Sequence, residues 1–330
     1  PYGALNSSLT RDTHEITVLT SVRMFMANIG GLAVNSGLPL VISWFAVSQS
    51  DGLPKEPKAW FTTMCIYAIV GMCLLFFCFS QCKERVVMDA SESENVKVSD
   101  LWMEFLHNRP LRVIAFFFIT AFAMMSIGNA AGAYFMNCNM HGTAAELSVF
   151  MALGSIPSFI FMPLVPVIKQ AVGKKNMFYI FLGAAIVGMI MIYVIAKMDH
   201  PSMMWIYVAQ FIKSTGVIVA TGYMWALVPE VISYGEYKSG KRIAGIVNAL
   251  TGIFFKAGMT LGGIVGPAVL AYVGYNSATT DQSPIAEEGI LWLVCIIPAA
   301  LLVLGIFIIS QYELTDAVID DINYEIEQRS

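Results

Sequence analysis

Three basic residues, Arg23, Lys213 and Lys256, stand inside long apolar runs of a 330-residue chain. A lysine or arginine at the centre of a membrane helix costs about 2.5 to 3.5 kcal/mol on insertion scales, so it normally faces a wet cavity or a partner. The chemistry open to such groups is recognition of a polar cargo through N–H donors, or uptake and release of a proton by a desolvated lysine. A guanidinium adds a planar fork that can donate two hydrogen bonds to neighbouring acceptors. Around Lys256, the residues Gly252, Thr260, Gly263 and Pro267 fall within roughly 40° at 100° per residue, a small and water-compatible face. Gly258, Gly262 and Gly266 form a different face, where GxxxG spacing lets a second helix approach closely. One helix thus has a packing side and a cavity side, with Lys256 on the latter; a purely structural pairing of this lysine is the alternative.

Arg23 sits near the start of an apolar run over 17–47 and could snorkel to headgroups. The run continues through Asn28, Gly30, Gly31, Asn35, Ser36, Gly37 and Pro39, too polar for a lipid-facing helix, so it lines something wet. Lys213 has Gln210, Val217 and Ala220 on its side, and here structure and a coupling role balance. A second concentration of charge, Glu230, Glu236, Lys238, Lys241 and Arg242, lies between two apolar runs. It reads as a gate lock in which Glu236 pairs with basic residues as two halves rock, against the plainer reading of a solvated loop. Tyr234 and Tyr237 fit headgroup anchors.

The elements that must position these residues are membrane spans. The chain is 57% hydrophobic and 13% charged with a mean hydropathy of +0.68, outside soluble globular usage. A bilayer core roughly 30 Å thick needs about 20 apolar residues of helix. Eight candidate spans result: 17–47, 59–81, 111–136, 143–168, 176–197, 203–229, 243–274 and 289–312. Counting Lys and Arg in alternate loops puts Arg11, Lys83, Arg85, Lys97, Arg109, Arg112, Lys169, Lys174, Lys175, Lys238, Lys241, Arg242 and Arg329 on one side, and only Lys55, Lys58 and Lys197 on the other. The first side is expected to be cytoplasmic, which places both ends of the chain, including the C-terminus, in the cytosol. The net charge of −4 says little about partners, and nothing points to nucleic acid.

The longest polar interval, 82–110, contains Val98, Leu101, Trp102 and Phe105 at helical spacing, which predicts an amphipathic helix on the inner membrane face. Six cysteines are scattered without ligand spacing and read as reduced packing residues, while His14, His107, His141 and His200 are isolated in or near loops. No metal site or cofactor is expected within the chain. No Asp or Glu lies near mid-membrane, so the counter-charges of the three buried cations must lie elsewhere. The chain opens without Met on "PYGALNSSLTRDTHE", which reads as the tail of a helix entering a loop and leads us to expect an N-terminal truncation.

The text "ALVPEVISYGEYKSGKRIAGIVNALTGIFFKAG" resembles the signature between spans ten and eleven of the glycoside-pentoside-hexuronide:cation symporters, the melibiose permease family of the major facilitator superfamily. "PYGALNSSLTRDTHEITVLTSVRMF" is similar to that family's segment between spans four and five, and "HNRPLRV" to the start of its span seven. The resemblance covers essentially the whole chain in order. It implies an all-α membrane protein, a major facilitator-type helical bundle, here with about eight transmembrane helices plus the end of another. Residues 1–81 would hold the end of span four and spans five and six, 82–110 the central cytoplasmic loop, 111–312 the complete C-terminal six-helix bundle, and 313–330 a cytoplasmic tail.

The resemblance further implies a secondary transporter of the cell inner membrane, monomeric, that couples sugar or glycoside uptake to Na⁺ or H⁺. The family's arginine on span five matches Arg23, and its lysine near the sugar and cation site matches Lys256. Trp225 and Tyr134 could stack on a sugar ring, as could Phe135 and Phe254, though aromatics in membrane helices more often pack. Coupling or gating would fall to Lys213, Glu230, Glu236, Lys238 and Arg242. The family's carboxylates for sugar and cation lie on spans one, two and four, so the cation site is expected outside this chain. Gly3 stands where melibiose-type relatives have an aromatic, which puts a stacking platform there in doubt. A xyloside, pentoside or glucuronide is favoured as cargo by the wording of the signature. The alternatives are a related carrier of a lipid or other amphiphile, favoured by an apolar cavity, and a non-transporting sensor or membrane enzyme, which would need a nucleophile or metal ligands.

Overall fold

The computed structural model describes residues 57–81, 98–239 and 244–329 apart from 278 and 280, together with positions between 22 and 45. The described residues form helices and turns with no strand, as an apolar solvent demands that each backbone N–H and C=O be paired within its own segment. The chain divides into two compact units, residues 1–94 and 95–330.

In the first unit, α1 (Pro57–Gln81) is a 25-residue apolar helix long enough to cross a membrane. Arg23 lies in helical backbone of this unit and is half-buried.

The second unit begins with α2 (Val98–His107) and α3 (Arg109–Tyr134), the latter continued by a π-helical turn, Phe135–Asn139. Then come α4 (Ala144–Phe161), α5 (Val165–Val172), α6 (Lys174–Ala196), α7 (Met203–Met224) and α8 (Leu227–Ser239). α9 (Ala244–Tyr272) is followed by α10 (Pro284–Leu291), a second π turn (Trp292–Ile296), α11 (Ile297–Ser310) and α12 (Asp316–Arg329). Among the described residues six helical runs are long and apolar enough to span, and α4 with α5 makes a seventh, bent by 68°. The bend follows from Pro163 and Pro166, whose rings remove N–H donors from the helical ladder. The remaining expected span, 17–47, lies largely outside the described residues.

α3 is the core helix of this unit. Its Leu111, Ile114, Phe117, Phe118, Ile127 and Ala131 are almost fully buried. It packs against α9 on one side and α11 on the other, while α7 is held between α4 and α6. Glycine lets two of these contacts close. A Cβ on Gly188 of α6 would lie 2.6 Å from the Lys213 backbone nitrogen of α7, and one on Gly262 of α9 would lie 2.6 Å from the Ala123 carbonyl oxygen of α3. Much of the outward surface is apolar, as on Ile180, Val187, Ile190 and Val194 of α6 and Val303 and Phe307 of α11. In water such a surface would be a liability, whereas lipid tails are its natural solvent.

α2 keeps the amphipathic character read from its spacing. Phe105 turns inward onto Phe254 of α9, ring centroids 5.3 Å apart, while Trp102, Met103 and Leu106 remain exposed. The stretch 313–330, expected as a tail, is mostly helix: α12 lies along α8 with Ile322 buried and Ile319 and Ile326 beside it.

Candidate functional site

α9 has the two faces that its sequence demands. Gly258 and Gly262 are buried against the α3 backbone at Ile119 and Ala123. Gly266, expected in the same seam, is buried too, although a Cβ there would meet nothing within 4 Å. On the other face Lys256, Thr260, Gly263 and Pro267 are exposed and Gly252 is half-buried. The Thr260 hydroxyl donates to the Lys256 carbonyl at 2.9 Å.

An aromatic cluster stands beside this face. Phe255, next to Lys256, meets Phe122 of α3 edge to face at 4.4 Å, and Trp225 meets Phe118 at 4.9 Å and Phe255 at 6.1 Å. Trp225 sits at the α7–α8 break because Pro229 has no N–H to give to its carbonyl. It is half-buried and stands beside Phe255, the chain neighbour of Lys256. Tyr134 is not brought to this place. Its ring stacks edge to face on Tyr275 at 5.3 Å, and it lies twelve residues, about 18 Å of helix rise, beyond Phe122. Phe135 is fully buried against Phe150, and Phe254 is covered by Phe105.

At the basic end of the unit, the charges are organised around Glu230. The Lys174 ammonium donates to both its carboxylate oxygens, at 2.8 and 2.7 Å, and also to the Leu314 carbonyl at 3.2 Å. The Tyr312 hydroxyl donates to Glu230 at 2.9 Å. The lysine side chain is 6% exposed and the glutamate 14%, so the pair is shielded and costly to break by removing one partner. Arg109 bridges to Glu313 at 2.6 Å, and Asn108 caps α3 through Leu111 N–H while reaching the Val231 carbonyl of α8. Three helices, α3, α6 and α8, and the α11–α12 junction are thereby tied together.

Glu236 is half-buried and has no ion pair among the described residues. Lys238 places its ammonium 5.5 Å from the Tyr234 ring centre. Arg242 lies outside the described residues. Sequence reasoning counted Lys174 as a loop charge and missed it as the partner of Glu230. A signal existed: Lys174 opens α6, and a cation at a helix N-terminus opposes the macrodipole, so it calls for a carboxylate.

Lys213 is half-buried in α7, its ammonium 5.8 Å from the Phe150 ring centre. At the opposite end of the unit Glu288, another residue the sequence reading did not single out, accepts from Lys197 at 2.8 Å, Tyr193 at 2.9 Å and Trp292 at 3.1 Å. Its carboxylate, followed by the Tyr193 hydroxyl, holds the Lys197 ammonium above the ordinary lysine range. Among the described residues no three His, Cys, Asp or Glu side chains converge on a point where a metal would sit.

Residues 1–316 match the family model described as MFS/sugar transport protein. Over 330 residues, all of this chain and 69% of the relative, the chain is 40% identical to the protein named uncharacterized symporter YnaJ of Bacillus subtilis. It is 27% identical to the glucuronide carrier protein homolog of Escherichia coli, over the whole chain and 69% of that protein. It is 26% identical to the isoprimeverose transporter of Lactiplantibacillus pentosus, over 87% of this chain and 59% of the relative.

Proposed function

We propose, from the premise that the chain belongs to the MFS/sugar transport protein family, that the complete protein is a sugar or glycoside:cation symporter working by alternating access. The observation that carries this reading is the division of α9. One face is locked to α3 by glycines, and the other presents Lys256 with Thr260 and Gly263 on an open surface beside Trp225.

In this reading the ammonium of Lys256 donates to sugar hydroxyls, and the indole of Trp225 offers an apolar face to the ring, as an aromatic does for the C–H side of a pyranose. Arg23 is a second donor to the cargo by the family resemblance alone. Tyr134, far along α3, acts as an outer contact on the way to the site. Glu230 with Lys174, and Glu236 with Lys238 and Arg242, belong to the gate at the cytoplasmic side. The basic end of the unit faces the cytosol, as the distribution of lysines and arginines demands. A pentoside, xyloside or glucuronide is the favoured cargo, in keeping with the names of two relatives, and Na⁺ or H⁺ the coupling ion.

The test is uptake of labelled glycosides into proteoliposomes under imposed Na⁺ and H⁺ gradients. Accumulation driven by one of the two gradients is the expected result. Equilibration that ignores both gradients would remove the coupling, and absence of any sugar movement would remove the reading.

A further inference from the structure

Two polar side chains of α7 converge on one residue of α4 deep inside the second unit. Gln210 is 5% exposed; its amide nitrogen donates to the Phe150 carbonyl at 3.5 Å, while its Oε1 has no hydrogen-bond partner among the described residues. Lys213, one turn further on, holds its ammonium 5.8 Å from the centre of the Phe150 ring. Residues three apart on a helix are neighbours, so the open amide oxygen and the amine lie on the same side of α7 against Phe150, with no hydrogen bond between them in this state. Gly154 of α4 leaves the room, since a Cβ there would come within 3.4 Å of the Gln210 amide nitrogen.

An unpartnered amide oxygen in a buried place is costly, and a neutral amine gives it little. A protonated amine satisfies it with a charge-assisted hydrogen bond, directly or through one water, and places its charge against the negative face of an aromatic ring. We infer that Gln210 and Lys213 form an internal proton-binding site in this unit, with Phe150 as its third member. On loading, the amine lone pair takes a proton from hydronium and leaves water; on unloading the ammonium returns that proton to water. Gln210 is the positioning residue, because its carbonyl oxygen favours the charged state.

The surrounding elements leave this site to itself. The second π turn brings the buried Cys295 thiol toward this part of α7. The other charged or titratable groups on the packed elements have neighbours of their own, Lys169 of α5 standing 5.9 Å from the Tyr223 ring centre. Glu146 of α4 is near Tyr207, Tyr193 of α6 is committed to Glu288, and Glu230 of α8 is held by Lys174 at the basic end. The site is defined by geometry alone; only its use, proton movement coupled to sugar, rests on the transport reading above.

The experiment is residue-resolved acylation of the complete protein in lipid nanodiscs with a small amine-reactive reagent across a pH series, read by mass spectrometry. The rate at Lys213 follows its neutral fraction. In Q210M, which keeps the volume and removes the acceptor, the Lys213 profile moves toward acidic pH. In Q210E, which adds an anion, it moves toward alkaline pH. Each displacement is about one pH unit, a tenfold change in rate at fixed pH. Lys256, exposed on α9, keeps its profile in all variants. Coincident Lys213 profiles, or a Lys213 that stays unlabelled while Lys256 reacts, would overturn the site. Proton flux per sugar is then compared between the parent and K213M. Loss of flux in K213M supports the coupled use. Unchanged flux with displaced profiles leaves the site standing and overturns its link to transport.

Discussion

Lys174, the first residue of α6, donates to both carboxylate oxygens of Glu230 in the first turn of α8, across 56 residues of sequence. The contact joins the ends of two helices, and it draws the Tyr312 hydroxyl and the Leu314 carbonyl into the same knot.

Removing one member of that pair leaves a shielded charge without its partner. Glu230→Ala is expected to destabilise the protein by about 3 to 5 kcal/mol, as does breaking other buried pairs. The double variant Lys174→Met with Glu230→Leu should recover most of the loss, since apolar side chains of similar volume replace the charges without a desolvation cost. Thermal unfolding of the purified protein in detergent compares the three. A double variant as unstable as Glu230→Ala would show that the hydrogen bonds, rather than the stranded charge, set the cost.

Tyr312→Phe removes a single hydrogen bond to the same carboxylate and keeps the ring. The expected cost is about 1.5 to 3 kcal/mol, the range for hydrogen bonds to charged groups. If Tyr312→Phe unfolds at the parent temperature, the Lys174 ammonium alone satisfies Glu230.

Adjacent glycines of α9 should respond oppositely to a methyl group. Gly262→Ala sets a Cβ 2.6 Å from the Ala123 carbonyl, an overpacking expected to cost about 1 to 3 kcal/mol. Gly263→Ala meets nothing within 4 Å and should leave stability unchanged or slightly raised, as expected from the helix propensity of alanine. Melting curves of the two variants decide. Equal behaviour would mean that α9 has no packing side.

The apolar spans are legible in the sequence because each is set by its own composition. The runs expected at 59–81, 111–136, 176–197 and 203–229 meet helices Pro57–Gln81, Arg109–Asn139, Lys174–Ala196 and Met203–Lys238. The two faces of α9 are legible for the same reason, since helical period alone places Gly258 and Gly262 away from Lys256. What hydropathy misses is partnership. Glu230 and Lys174 are far apart in sequence, and α7, α8 and α9 lie between Lys197 and Glu288, so no local pattern joins either pair. The breaks at Met162–Leu164 and at Trp225–Ala226 have local causes in proline, yet whether a proline bends or stops a helix depends on its neighbours. Trp225 and Tyr134 look equivalent as aromatic residues near span ends. The fold separates them along α3.

Lys256 tests the central claim most directly, because transport chemistry on the open face of α9 requires that ammonium while the packing seam of the same helix does not. Concentrative uptake of labelled glycoside into proteoliposomes containing the complete Lys256→Ala protein is the measurement, with melting temperature as the check on folding. The expected result is loss of accumulation by at least about a hundredfold, equivalent to roughly 2.8 kcal/mol, with an unchanged melting temperature. Accumulation at the parent rate by a folded Lys256→Ala protein would contradict the claim and move the site away from α9.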